Sequence, residues 1–256
     1  MSLLLSYALF ALGAIVASFV GVLAGRLNTG TSFLTGRSRC DACNTALPPS
    51  ALVPIFSHIA FRGRARCCGA RLTLLSPGTE ILLGGLFALS YLMLGPTPAL
   101  LGMFLSLALL LALVLYDVSH QILPPRLLTA FVLAGAATGL LSSPTPAAFS
   151  GSLLAALLIS GSLALIHILS RGRAMGFSDA PLALGLSLLV GSAALPGFIF
   201  SFWIGAVIGI AVLAGRPVGS RIGVEVPFAP FLAAGFLLAY FTQWNPFIFI
   251  AILSGN

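Results

Sequence analysis

Long apolar runs separated by short polar breaks set the pattern of this chain. A helix crossing a bilayer core needs about 20 mostly apolar residues. The runs over about 3–24, 80–94, 99–116, 127–141, 150–169, 181–195 and 198–214, with another starting near Phe228, predict eight such spans. Breakers end several of them: Gly95-Pro96-Thr97-Pro98, Ser142-Ser143-Pro144-Thr145-Pro146 and Pro196-Gly197. After the eighth run begins, Gln243-Trp244-Asn245-Pro246 interrupts it. The pattern gives an all-α polytopic membrane protein with one hydrophilic loop domain. Its parts are a first helix over 1–24, a Cys-containing loop over 25–79 and a helical core over 80–256.

Composition narrows the class. The hydrophobic fraction is 59% and the charged fraction 7%, which excludes an ordinary soluble domain. The net charge of +7 comes from twelve arginines without lysine, and in this setting it sets topology and touches anionic lipid headgroups rather than nucleic acid. Seven arginines follow the first run, placing the N-terminus outside and the loop in the cytoplasm. Alternating the spans from there puts all twelve arginines on breaks of the same side: 25–76, 117–126, 170–180 and 215–227. The opposite breaks carry no formal charge, and Trp203 and Trp244 fall toward that external interface. No basic residue precedes the first run, so it lacks the positive start of a secretory signal.

Only five acidic residues are present, and two, Asp117 and Asp179, stand where an apolar run meets a cytoplasmic break. A carboxylate at the edge of a bilayer core is costly and is usually retained for a purpose. Two at one depth can converge across a bundle, share a proton, and act as base toward a water and as acid toward a scissile carbonyl. The plainer alternative is a pair of helix caps, or ion pairs with Arg126 and Arg173. The four cysteines, Cys40, Cys43, Cys67 and Cys68, all lie in the hydrophilic loop, where a cytosolic location favours thiols or metal over disulfides. Two Cys-x-x-Cys pairs about 20–25 residues apart would form a tetrahedral Zn²⁺ knuckle. The second pair is broken here, with Ala65 at the expected position and Cys67 beside Cys68. The candidate ligands are therefore Cys40, Cys43 and Cys68, with Cys67 next to them; the alternative is a loop of reduced thiols. Glu80 reads as a solvated helix N-terminus, Glu225 as a partner of Arg216 or Arg221, His120 as a surface residue and His167 as a satisfied or interfacial one.

The motifs around these residues resemble the prepilin peptidase family, membrane aspartyl proteases with a Gly-x-Gly-Asp motif. Asp117 precedes Leu123-Pro124 as the family's first aspartate precedes an Ile/Leu-Pro pair. Ala174-Met175-Gly176-Phe177-Ser178-Asp179-Ala180-Pro181-Leu182 is similar to its Gly-Met-Gly-x-Gly-Asp-x-Lys-Leu stretch. Ala174, Ser178, Pro181 and Pro125 depart from the pattern; serine fits in place of glycine where φ is negative. Similarity extends along the chain. It takes in Ala17-Ser18-Phe19-Val20-Gly21-Val22, Arg26-Leu27-Asn28, Cys40-Asp41-Ala42-Cys43 and Leu52-Val53-Pro54-Ile55-Phe56-Ser57. It continues in Pro77-Gly78-Thr79-Glu80 and Val226-Pro227-Phe228-Ala229-Pro230-Phe231-Leu232-Ala233.

The resemblance implies an inner-membrane endopeptidase with Asp117 and Asp179 catalytic. Its substrates would be type IV prepilins and type II secretion pseudopilins, cut at the cytoplasmic face. It also implies, in many relatives, N-methylation of the new terminus with S-adenosylmethionine, linked to the cysteine loop. A proton-coupled transporter would place the aspartates near the midplane, usually with an internal repeat. A non-catalytic assembly scaffold would keep processing when either aspartate is changed. Oligomeric state is not fixed by the sequence.

Overall fold

The computed structural model describes residues 2–27, 42–43, 45–46, 61, 63–65, 67–71, 74–215 and 226–246. Among them are eight α-helices: α1 Ser2–Arg26, α2 Leu75–Leu94, α3 Pro98–His120, α4 Pro125–Ser142, α5 Pro146–Leu169, α6 Asp179–Val190, α7 Ala194–Ala214 and α8 Ala229–Thr242. Each matches one expected run. By length and composition six helical stretches are able to cross a membrane, because α6 and α7 form one stretch over Asp179–Ala214 and α8 is short. The expected count of eight spans is therefore not confirmed, although the chain is an all-α, multi-pass membrane protein.

Prolines expected to end spans begin helices instead. Pro146 is the first residue of α5, where its missing N–H costs nothing, and the Thr145 hydroxyl accepts the Ala148 N–H at 3.1 Å. Pro196 lies in the first turn of α7, so that helix starts at Ala194, upstream of the expected break. Trp203 consequently sits near the middle of α7 and not at its end, while Trp244 lies just beyond α8; both are exposed.

The chain divides into two units, 1–100 and 101–256. In the first, α1 packs on α2 where two glycines meet: a Cβ on Gly13 would stand 2.8 Å from the Gly84 Cα. Glu80 lies on α2 and is buried, 1% exposed, so it is not the solvated helix start the sequence suggested. Helix α2 begins five residues earlier than expected, which draws Glu80 off the end.

In the second unit α6 is buried on nearly all faces, with Leu182, Ala183 and Leu186 fully enclosed. A helix apolar all round belongs inside a bundle. It packs on α4, α5, α7 and α8. Helix α3 reaches α4 through the Ser106 and Thr138 hydroxyls, 3.4 Å apart, and α7 reaches α8 through the Ser201 hydroxyl, which donates to the Leu232 carbonyl at 3.2 Å.

Candidate active site

Asp117 belongs to the last turn of α3 and Asp179 is the first residue of α6. Both side chains are buried, 6% and 7% exposed, although both residues stand at helix ends. The structure brings them within electrostatic reach of each other. Each is held by a backbone donor. The Ala229 N–H at the start of α8 donates to the Asp117 carboxylate, and the Gly176 N–H donates to that of Asp179. The first N–H groups of a helix have no partner within it, so α8 offers Asp117 a ready donor. The Asp117 Oδ2 is buried and has no hydrogen-bond partner among the described residues.

Local geometry explains why the sequence tolerates its departures here. The 170–178 loop leaves α5 through two left-handed residues, Arg171 (φ 53°) and Gly172 (φ 75°). Ser178 then takes φ −66°, ψ −17°, a conformation open to any L-residue, so no glycine is required before Asp179. Pro181 is the third residue of α6, where its N–H would have had no helical partner. Pro125 likewise opens α4.

Two further side chains reach this loop and the start of α6 from α5. The His167 Nδ1 lies 2.9 Å from the Met175 carbonyl, and the Ser160 hydroxyl donates to the Ala180 carbonyl at 2.8 Å. His167 also contacts the Phe177 ring edge-on and lies within electrostatic reach of Asp179. The sequence reading of His167 as satisfied is correct but incomplete, and it missed Ser160 and the Ala229 and Gly176 donors. Proline at 227 and 230 was the one available signal, since it marks the start of α8. His120 is exposed, as expected, and stacks on Tyr116 with ring centroids 4.2 Å apart.

In the first unit the loop around 64–71 turns tightly. Ala65 N–H donates to the Ala70 carbonyl and Gly69 N–H to the Ala65 carbonyl, both at 2.8 Å, with Gly69 at φ 71°. Cys67 and Cys68 lie within this turn. The Sγ of Cys43 is 3.2 Å from that of Cys67, which is 3.9 Å from that of Cys68; all three lie within 4.8 Å of one another. The neighbouring thiols of Cys67 and Cys68 thus converge with that of Cys43. Four thiolates around a Zn²⁺ at about 2.3 Å stand roughly 3.8 Å apart, so this donor set fits the ion. Cys40 and Glu225, with Arg216 and Arg221, lie outside the described residues.

Comparison with known proteins agrees with this architecture. Residues 11–94 match the bacterial peptidase A24 N-terminal domain, and residues 103–213 match the type IV leader peptidase family. A prepilin leader peptidase/N-methyltransferase of Bacillus subtilis is 32% identical over 91% of this chain and 92% of its own length. Proteins of the same name from Burkholderia pseudomallei and Myxococcus xanthus are 33% and 32% identical. They match over 78% and 80% of this chain, which spans 65% and 62% of their length. No solved structure matches. The chain belongs to the type IV leader peptidase family.

Proposed function

We propose that this protein is an aspartyl endopeptidase of the bacterial inner membrane that removes the leader from type IV prepilins and pseudopilins, with Asp117 and Asp179 as its catalytic pair. The observation that carries the reading is the convergence of two buried carboxylates from the ends of α3 and α6, with Asp117 Oδ2 lacking a partner among the described residues. Buried polar atoms are almost always satisfied, and an exception at a carboxylate invites a proton, a water or a substrate.

The chemistry follows from one proton shared by two acids. The ionised member takes a proton from water as the water oxygen attacks the scissile carbonyl carbon. The protonated member donates to the carbonyl oxygen. Collapse of the tetrahedral species breaks the C–N bond: one of its hydroxyls returns a proton to the ionised acid, and the leaving nitrogen takes the proton of the other, which restores the singly protonated pair. The backbone donors from Ala229 and Gly176 fix the carboxylates before substrate arrives, so little reorganisation is needed.

The arginine distribution supports a site facing the cytoplasm. Placement at helix ends argues against the transporter reading, which needs carboxylates near the midplane. The relatives' names support a second activity, N-methylation of the new terminus, with S-adenosylmethionine as co-substrate. Cys43, Cys67 and Cys68, with Cys40 as the fourth sequence candidate, would hold a structural Zn²⁺.

The test is cleavage of a synthetic leader-bearing pilin peptide by the full chain in detergent, with and without S-adenosylmethionine, read by mass spectrometry. Asp117→Asn and Asp179→Asn are each expected to abolish cleavage, a fall of roughly 1000-fold or more. Processing that survives both single changes would favour the scaffold and end the catalytic assignment.

A further inference from the structure

We propose that Ser160 and His167 of α5 are positioning residues that brace Asp179 from both sides, an inference that rests on the catalytic reading of that aspartate. The two lie seven residues apart, on one face of the helix and about 10 Å apart along it. Between them Leu163 is buried, 1% exposed, so this face is turned into the protein. Each engages a backbone carbonyl, one before Asp179 and one after it. His167 holds Met175 at 2.9 Å; Ser160 holds Ala180 at 2.8 Å. A carbonyl only accepts, so the His167 Nδ1 carries the hydrogen.

Among the described residues the intervening backbone is otherwise tied by long bonds of its own turn, with the Ala180 N–H donating to the Phe177 carbonyl and the Leu182 N–H to the Ser178 carbonyl, both at 3.2 Å. The Asp179 N–H donates to the Gly176 carbonyl at a long 3.3 Å, and the Gly176 N–H returns a bond to the Asp179 side chain. Upstream, the Gly172 N–H donates to the His167 carbonyl at 2.8 Å, and the Ser170 hydroxyl accepts the Ala174 N–H at 3.3 Å. His167 thus ties both the exit from α5 and the approach to Asp179. The carboxylate's place is set by α5 through two side-chain contacts rather than by the turn alone. Displacing a reacting group by about 1 Å costs roughly 100-fold in rate.

The experiment measures kcat and KM for leader-peptide cleavage with the full chain, comparing His167→Ala, His167→Asn, Ser160→Ala and Asp179→Asn. In His167→Asn the amide nitrogen takes the place of Nδ1 and keeps the donor. His167→Ala is expected to lower kcat roughly 10-fold to 100-fold with KM within about 3-fold, and Asn to return it to within about 5-fold of wild type. Ser160→Ala removes one hydroxyl and is expected to lower kcat about 3-fold to 10-fold with KM unchanged. It decides the matter if His167→Ala does not fold: an unchanged kcat there overturns the inference. An Asn variant as poor as Ala overturns it too, as does a wild-type kcat in His167→Ala beside an inactive Asp179→Asn. Wild-type cleavage by Asp179→Asn overturns the catalytic reading itself, and this inference with it.

Discussion

Ser187 and Asp117 each bury an oxygen that no described residue satisfies, and they differ in what that means. The Asp117 oxygen belongs to a group that exchanges protons and faces a second acid. The Ser187 hydroxyl sits in the interior of α6, fully enclosed, eight residues beyond Asp179. It has no evident chemistry, so it carries a desolvation cost without return. Ser187→Ala is expected to stabilise the protein by about 1 kcal/mol and leave cleavage unchanged, measured by thermal unfolding in detergent and by peptide turnover. At this scale the sequence showed the carboxylates, because acidic residues are scarce here and stand out against apolar runs. It did not show what holds them. The donors to Asp117 and Asp179 are backbone N–H groups, which every residue but proline has, and both braces act on carbonyls. Nothing in the identity of Ala229 or Ala180 announces these roles.

Helix contacts in the second unit depend on glycines that let backbones touch. A Cβ on Gly135 of α4 would stand 2.7 Å from the Gly185 carbonyl oxygen of α6, and one on Gly185 would stand 2.7 Å from the Phe131 ring. A rigid carbonyl cannot yield as a side-chain tip does. Gly135→Ala is therefore expected to push α4 from α6 and destabilise the protein by about 1–3 kcal/mol. Gly151→Ala on α5, where the added methyl meets nothing within 4 Å, should gain up to about 1 kcal/mol from helix propensity. Unfolding midpoints of the two variants, compared side by side, check the contrast; equal shifts would refute the close-packing account. Hydropathy located each helix among the described residues but misjudged where several begin. Pro146 and Pro196 were read as stops, whereas a proline in a first turn is a start. The distinction depends on which side of the proline the N–H ladder forms, and apolar runs do not reveal that.

For the molecule as a whole, the two chemistries fall on different units. Every group named at the carboxylate site lies in 101–256, whereas the three thiols lie in 1–100. Zinc held by four thiolates would have no open position, so it would contribute to folding of the loop rather than to hydrolysis. Metal binding of this kind is folding free energy, and its loss should melt the loop before anything else. Cys43→Ser and Cys67→Ser are expected to lower zinc content per chain and to expose the cysteine-containing segment between α1 and α2 to added protease. Leader cleavage by the carboxylate pair should stay within about 3-fold of wild type, since neither the acids nor their donors are touched. Elemental analysis, limited proteolysis and peptide turnover on one preparation measure all three. If removing the metal silences cleavage as completely as Asp117→Asn does, the thiol loop takes part in hydrolysis and the division of labour is wrong. If zinc content is unchanged, the three converging thiols are not its ligands.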